Sequence, residues 1–370
     1  MADNLTFAIL GAGHGGQALA GYLSLKGCKV NLFNRSPERL SSIKLMGGIQ
    51  VEGEIQGFAQ LNIITSNIEE AVRDAEIIMI VVPATGQRYM AESLVPYIKD
   101  GQIIVLNPGR TGGALEVRQI FKERNVSAQV IISEAQTFLF ASRIGGPAQV
   151  KIFRIKNSIP VAAIPAYKTV EVVTALRKVL PQFVPEDNVL KTSFNNIGAV
   201  FHPSLTILNA ARIENTHGEF DYYIDGITPS VALILEAVDN ERVKVAEALG
   251  VRAITAREWL YSAYDAHGRN LYEAIQNNPG YCGIRAPYTI YTRYITEDVP
   301  MSLVPIASFG QMLNIPTPTI DCMIHLANLL HGRDYWLEGR TVEKLGLSGM
   351  SVKDIRELVV VESKNEKNVS

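Results

Sequence analysis

Gly11-Ala12-Gly13-His14-Gly15-Gly16 follows the apolar run Thr6–Leu10 directly and opens the helix-patterned stretch Gln17–Lys26. A strand that turns this tightly into a helix restricts the fold to a unit built from βαβ connections. The glycines have separate reasons to be glycine. Gly11 permits the turn, Gly13 lets backbone approach a bound phosphate, and Gly16 lets the helix lie close to the strand. The first turn of that helix offers unpaired N–H groups and the positive end of its dipole to an anion. The spacing therefore predicts a dinucleotide-binding turn made by Gly11, Ala12, Gly13, His14, Gly15 and Gly16. A turn that binds nothing is the bland alternative, and the register of strand, turn and helix argues against it.

The next 150 residues alternate in the same way. Val30–Phe33, Glu76–Val82, Gln102–Leu106 and Val130–Glu134 read as strands, and Pro37–Met46, Gln87–Lys99 and Ala114–Arg124 as helices. Gln50–Glu52 and Leu61–Ile64 read as short strands, a hairpin edge. Gln149–Ile155 and Pro160–Ile164 add two more. The pattern predicts a Rossmann domain with a doubly wound, mainly parallel sheet, its ligand at the C-terminal ends of the strands. Val82 and Pro83, and Asn107, end two of those strands and are expected beside the cofactor. Past Pro181–Asp187 the apolar spacing turns helical, in Ile197–Glu214, Pro229–Leu249, Ala253–Ala263, Leu271–Gln276, Leu303–Leu313 and Thr319–Leu330. The division expected is an α/β domain over 1–185 and an all-α domain over 186–370. Thr341–Gly346 and Val352–Val360 read as late helices, and Glu362–Ser370 as a frayed polar end.

Composition removes several function classes. The net charge of −2 gives no electrostatic case for nucleic acid or an anionic membrane. No stretch is apolar for long enough to span a bilayer, and the opening residues lack a leader pattern. Cys28, Cys282 and Cys322 are odd in number and widely spaced, which suggests free thiols and not a disulfide frame or a zinc site. They read as buried free thiols in a reducing, cytoplasmic compartment. No metal is expected.

The second strand decides which cofactor is expected. A Rossmann unit that binds NAD places an acid there, where it accepts a hydrogen bond from the ribose 2′-OH. This chain has Leu32-Phe33-Asn34-Arg35, with Arg39 one helical turn further on. The acid is absent and the charge is inverted, so Asn34, Arg35 and Arg39 point to NADP(H) over NAD(H). The bland alternative makes both arginines ordinary solvated surface residues.

Reduction of a polar double bond also needs a proton donor, and histidine suits that role at neutral pH. Of His14, His202, His217, His267, His325 and His331, His14 belongs to the phosphate turn. His202 lies inside the apolar run Asn195–Pro203, just before a proline that would kink a helix. Alone it would read as a satisfied core histidine.

A wider set of motifs changes that reading. Gly11–Gly16, Ile80-Val81-Val82-Pro83-Ala84, Leu106-Asn107-Pro108-Gly109, Asn196–Pro203, Gly226-Ile227-Thr228-Pro229, Arg293–Pro305 and Glu338-Gly339-Arg340-Thr341 occur in this order along almost the whole chain. Together they resemble the opine dehydrogenase family, in particular its bacterial N-(1-carboxyethyl)-norvaline dehydrogenase type. The resemblance implies condensation of an amino acid with a 2-oxo acid such as pyruvate, and reduction of the imine by NAD(P)H. It implies His202 and Asp298 as the catalytic pair and Arg293 as an anchor for a substrate carboxylate. A product with two carboxylates calls for a second cation, and Arg143 is the candidate; an ordinary surface arginine is the competing reading. Tyr281, in the Asn277–Gly283 loop, is expected to line the amino-acid pocket. Small-molecule substrates and a homodimer complete the expectation.

Two other readings compete. Lys191 and Asn195 stand in a Lys-x-x-x-Asn spacing reminiscent of ketopantoate reductase, which reduces a 2-oxo acid directly to an alcohol. A non-catalytic NADP(H) sensor is the third, without an effector domain or basic patch to support it.

Overall fold

The computed structural model describes residues 5–361; the polar end expected over Glu362–Ser370 lies outside them. Two compact units divide the chain. One runs to Ser193 and takes back the chain from Asp354, and the other spans Phe194–Lys353. The division thus falls later than 185/186, and the helix Val352–Val360 lies mostly in the first unit.

In the first unit, β1 (Thr6–Leu10), β2 (Lys29–Phe33), β5 (Ile63–Thr65), β6 (Ile77–Ile80), β7 (Ile103–Leu106), β8 (Ile131–Ala135), β11 (Ile159–Ile164) and β12 (Phe183–Pro185) form one sheet. Its order is β12-β11-β8-β7-β6-β1-β2-β5. Every pairing is parallel except β11 with β8, as expected for a doubly wound sheet. From β1 the chain winds one way to β2 and β5, then back past β1 to β6, β7 and β8. The topological switch point therefore lies between β1 and β6, where such folds hold ligand.

A second sheet was not expected. β3 (Gly48–Gly53), β4 (Gly57–Gln60), β9 (Phe140–Gly146) and β10 (Gln149–Ile155) make it, in the order β4-β3-β10-β9. The hairpin reading joined Gln50–Glu52 to Leu61–Ile64. In the structure β3 pairs with β4 instead, and β5 joins the main sheet beside β2. The helix α1 (His14–Leu25) packs against strands of both sheets. That explains its composition: Gly16 to Leu23 are all buried, so it needs apolar residues on every side.

The Pro181–Asp187 composition shift is not the end of the first unit, because Phe183–Pro185 pairs with β11 as an edge strand. The following helix, Val189–Phe194, is tied back by a buried carboxylate. Glu134, at the end of β8, accepts from the Thr192 and Ser193 hydroxyls at 2.6 and 2.9 Å. Its other oxygen accepts from the Ala114 N–H at 2.8 Å, so it also caps the Gly113–Glu123 helix.

The second unit is helical, with Gly198–Leu208, Pro229–Ala248, Val304–Leu313 and Pro318–His331 among its helices. Residues 341–346 form turns, not the helix expected, and Gly346 there has φ +69°. Arg242, fully buried, organises one corner. It pairs with Asp239 at 2.6 Å and donates to the carbonyls of Phe194 and Ile254. Cys28 is buried as expected, but Cys282 and Cys322 are exposed. Cys282 follows a 3-10 turn, and Cys322 faces outward on a helix that buries Ile320, Met323 and Ile324. Among the described residues no helix is long and apolar enough to cross a membrane.

Replacing Glu134 removes the acceptor of one helix N–H and of the Ser193 hydroxyl, and one of the two acceptors that the Thr192 hydroxyl reaches. Glu134→Ala is expected to cost on the order of 3 kcal/mol of stability. Chemical denaturation measures it, and a loss below ~1 kcal/mol would contradict this role.

Candidate active site

The glycine turn leaves β1 with Gly11 at φ +119°, a conformation that favours glycine. A Cβ on Gly16 would stand 1.7 Å from the Gly11 carbonyl oxygen, so helix and turn touch there. Gly13 differs. It caps α1 in an extended conformation, and a Cβ on it would meet nothing within 4 Å. Among the described residues nothing crowds that position, and Gly13 itself offers no capping side chain. The unused space and the uncapped N–H groups fit a dinucleotide pyrophosphate.

The expected cofactor residues gather along this edge of the first unit. Asn34 accepts the Ala12 N–H at 3.0 Å and donates to the Ser36 carbonyl at 3.1 Å. It therefore braces the turn, and no carboxylate occupies the end of β2. Arg35 is exposed, its guanidinium 5.0 Å from the centroid of the Tyr89 ring. Arg39 is exposed on the next 3-10 turn. Val82 and Pro83 follow β6, with the Val82 side chain 2.8 Å from where a Gly11 Cβ would be. Asn107 ends β7, buried, with its Oδ1 lacking a hydrogen-bond partner. An orphaned acceptor at this edge also fits a ligand group.

His14 has a role that the spacing did not reveal. Its Nδ1 accepts from the Ile144 N–H at 2.8 Å, and its carbonyl accepts from the Ser142 hydroxyl at 3.3 Å. The phosphate turn is thereby fastened to β9 of the second sheet. Arg143 lies exposed between those two residues, opposite Lys151 on β10.

In the second unit His202 sits mid-helix, before Pro203, in Gly198–Leu208. Its Nδ1 is 3.0 Å from Asp298 Oδ2, with the carboxylate 1% exposed and the imidazole 22%. The dyad implied by the family resemblance is thus formed across 96 residues of sequence. Behind Asp298 a π-helical turn, Val299–Leu303, places Ser302 against its other oxygen at 3.5 Å, and Asn196 donates to Ser302 at 2.8 Å. π-helical turns concentrate at functional sites. The imidazole also stacks on Tyr294 at 4.4 Å, and Tyr294 on Tyr222 at 5.3 Å. Burial pushes the Tyr222 phenol well above its usual range, so it stays neutral and donates to the His202 carbonyl at 3.0 Å. Asn196, Ser302, Tyr222 and Tyr294 were not assigned from sequence. Hydrogen bonds and ring stacks between distant residues leave no local spacing to read.

Arg293 begins the short helix Arg293–Thr296, with its side chain 62% exposed and its Nε 3.0 Å from buried Glu297. The ion pair fixes the guanidinium's base while its body faces solvent. Tyr281 does not fit the pocket-lining expectation. It is 5% exposed, stacked on Tyr223 at 4.1 Å, and belongs to the core of this unit. The competing pair is engaged elsewhere. Lys191 is held by Glu186 and Asp187, and the Asp187 bond above all raises its pKa. Asn195 accepts the Ile254 N–H at 3.0 Å. Among the described residues no cluster could hold a metal ion.

The two glycines make opposite predictions. Gly13→Ala is expected to change stability by less than about 0.5 kcal/mol and to raise the cofactor KM about tenfold or more. Gly16→Ala should unfold the first unit or grossly weaken it. An unchanged KM in Gly13→Ala would remove the pyrophosphate from this turn.

Comparison with known proteins places this geometry. Residues 185–331 match the family described as NAD/NADP octopine/nopaline dehydrogenase, alpha-helical domain. Residues 7–142 match ketopantoate reductase PanE/ApbA. An opine dehydrogenase of Arthrobacter sp. (strain 1C) is 43% identical over 360 residues, covering 97% of this chain and 100% of that protein. The protein ocs of Agrobacterium tumefaciens (strain Ach5) is 25% identical, covering 94% and 97%. The structure of octopine dehydrogenase with NADH and L-arginine superposes with a TM-score of 0.80 at 22% identity, covering 95% of this chain and 97% of that one. NADP+-bound yersinopine dehydrogenase gives 0.75 at 15% identity, covering 96% and 100%. With a turn built for a dinucleotide in one unit and a buried Asp–His pair in the other, the chain belongs to the opine dehydrogenase family, NAD(P)-dependent oxidoreductases acting on CH–NH donors.

Proposed function

We propose that this chain condenses the amino group of an amino acid with a 2-oxo acid such as pyruvate and reduces the resulting imine, using NADPH in preference to NADH. The His202–Asp298 pair carries the reading. Asp298, buried and braced by Ser302, takes the Nδ1 side of the ring and fixes its orientation. Nε2 is then the nitrogen that exchanges a proton with substrate. His202 donates to the 2-oxo oxygen as the amine adds, takes back the proton that the newly bonded nitrogen releases, and donates it again as the carbinolamine hydroxyl leaves as water. A nicotinamide cofactor held at the Gly11–Gly16 turn would supply the hydride for reduction of the imine carbon. Arg293 takes a substrate carboxylate; its exposed guanidinium and fixed Nε support that role. Arg143 is the second cationic anchor in this reading, and its exposure leaves it accessible.

The NADPH preference rests on neutral Asn34, which braces the turn where an acid would bind the 2′-OH, and on exposed Arg35 and Arg39 beside it. Three free cysteines, two of them exposed, support a reducing cytoplasmic setting. A homodimer belongs to the same reading, and sedimentation tests it.

Cofactor oxidation across a matrix of 2-oxo acids and amino acids tests the reaction. Oxidation that needs both partners is the expected outcome. Oxidation by the oxo acid alone would identify direct reduction to an alcohol. His202→Ala is expected to lower turnover by about 100-fold or more with cofactor affinity kept; unchanged turnover would remove His202 from the chemistry. Arg35→Ala is expected to raise the KM for NADPH about tenfold, with little effect on NADH.

A further inference from the structure

Arg35 is not a free surface arginine. Its guanidinium lies over the ring of Tyr89, 5.0 Å from the centroid. The two residues come from separate parts of the fold. Arg35 follows β2, and Tyr89 sits in the first turn of the Gln87–Leu94 helix, which follows β6. In the sheet β1 runs between β6 and β2. The contact therefore reaches across the C-terminal end of β1, beside the glycine turn and the switch point. A surface cation finds many partners in water; one resting over an aromatic face across this edge has its position restricted in advance.

We infer that Tyr89 is a positioning residue for cofactor selection, a platform whose ring face holds the Arg35 guanidinium in place for the 2′-phosphate of NADPH. This rests on the NADPH preference proposed above. A planar guanidinium binds phosphate through a fixed fork, so its orientation decides how many hydrogen bonds it makes. Without the platform Arg35 must lose its rotamer freedom on binding, and affinity falls. Arg39 bonds the Ser36 carbonyl through its backbone N–H, a contact that does nothing to place its guanidinium. The preference is therefore assigned to Arg35 on Tyr89, and the phenol hydroxyl has no part in it.

The test compares Tyr89→Phe, Tyr89→Leu and Tyr89→Met with Arg35→Ala, all in the full-length enzyme. KM is measured for NADPH and for NADH, and affinity for adenosine 2′,5′-bisphosphate against adenosine 5′-monophosphate by calorimetry. Tyr89→Leu and Tyr89→Met should raise the NADPH KM about threefold to fivefold and leave the NADH KM unchanged. Tyr89→Phe keeps the ring and should match the parent. The 2′-phosphate contribution to nucleotide affinity should fall by the same factor. Methionine suits a helix without offering a π face, so it serves if leucine fails to fold. An equal rise for both cofactors, or a phenylalanine variant that behaves like leucine, overturns the platform. If Arg35→Ala does not discriminate between the cofactors, the NADPH reading itself falls, and the platform with it. If Arg35→Ala discriminates and neither Tyr89→Leu nor Tyr89→Met does, only the platform falls.

Discussion

The first unit depends on how closely α1 approaches its neighbours. At its start, Gly16 lies against the Gly11 carbonyl, where a Cβ would be 1.7 Å from the oxygen. One and a half turns later, a Cβ on Gly21 would be 2.5 Å from a methyl of Val51 in the second sheet. Contact on both sides lets one helix serve as the core between two sheets. The same contact aims the helix's N-terminal N–H groups at the space beside Gly13. Burial thus fixes the anion-binding geometry, and His14 adds a tie from the turn to β9.

The helical unit is organised differently, around buried charge. Arg242 and Asp239 are paired, and the Asp239 carboxylate also accepts the Ala256 N–H at 2.7 Å. Such pairs contribute little net stability but are costly to break, so they specify one arrangement. Asp298 repeats the principle in a reactive form. Its buried carboxylate is satisfied on one side through Ser302, and on the other it meets a partly exposed imidazole that can exchange a proton. Stacking on Tyr294 and the Tyr222 hydrogen bond hold the ring and its backbone from other directions.

Much of this was legible in the sequence. The strand–glycine–helix register gave the parallel sheet, because period and turn chemistry are local. The family motifs paired His202 with Asp298 before their contact could be seen. Other features stayed hidden for physical reasons. The second sheet is assembled from Gly48–Gln60 and Phe140–Ile155, and short strands paired over such distances carry no joint signal. Tyr281, in an Asn-, Pro- and Gly-rich loop, is expected from sequence to line the pocket, yet its ring belongs to a core cluster. Cys322 looked like a small buried hydrophobe, but the outward face of an amphipathic helix claimed it. Arg35 and Arg39 were equivalent as letters, and only the ring of Tyr89 tells them apart.

The pairing of β3 with β10 carries a kinetic consequence. Gln50–Gly53 lie parallel to Gln149–Ile152, so this ladder closes a loop of about half of the first unit. Long-range parallel pairing is slow, because the chain must give up loop entropy before the contacts reward it. The smaller sheet is therefore a late element of folding, formed once the larger sheet has brought its two halves near. Since β9 of that sheet grips His14, a nascent chain holds a complete phosphate turn only after residues 140–155 have been made.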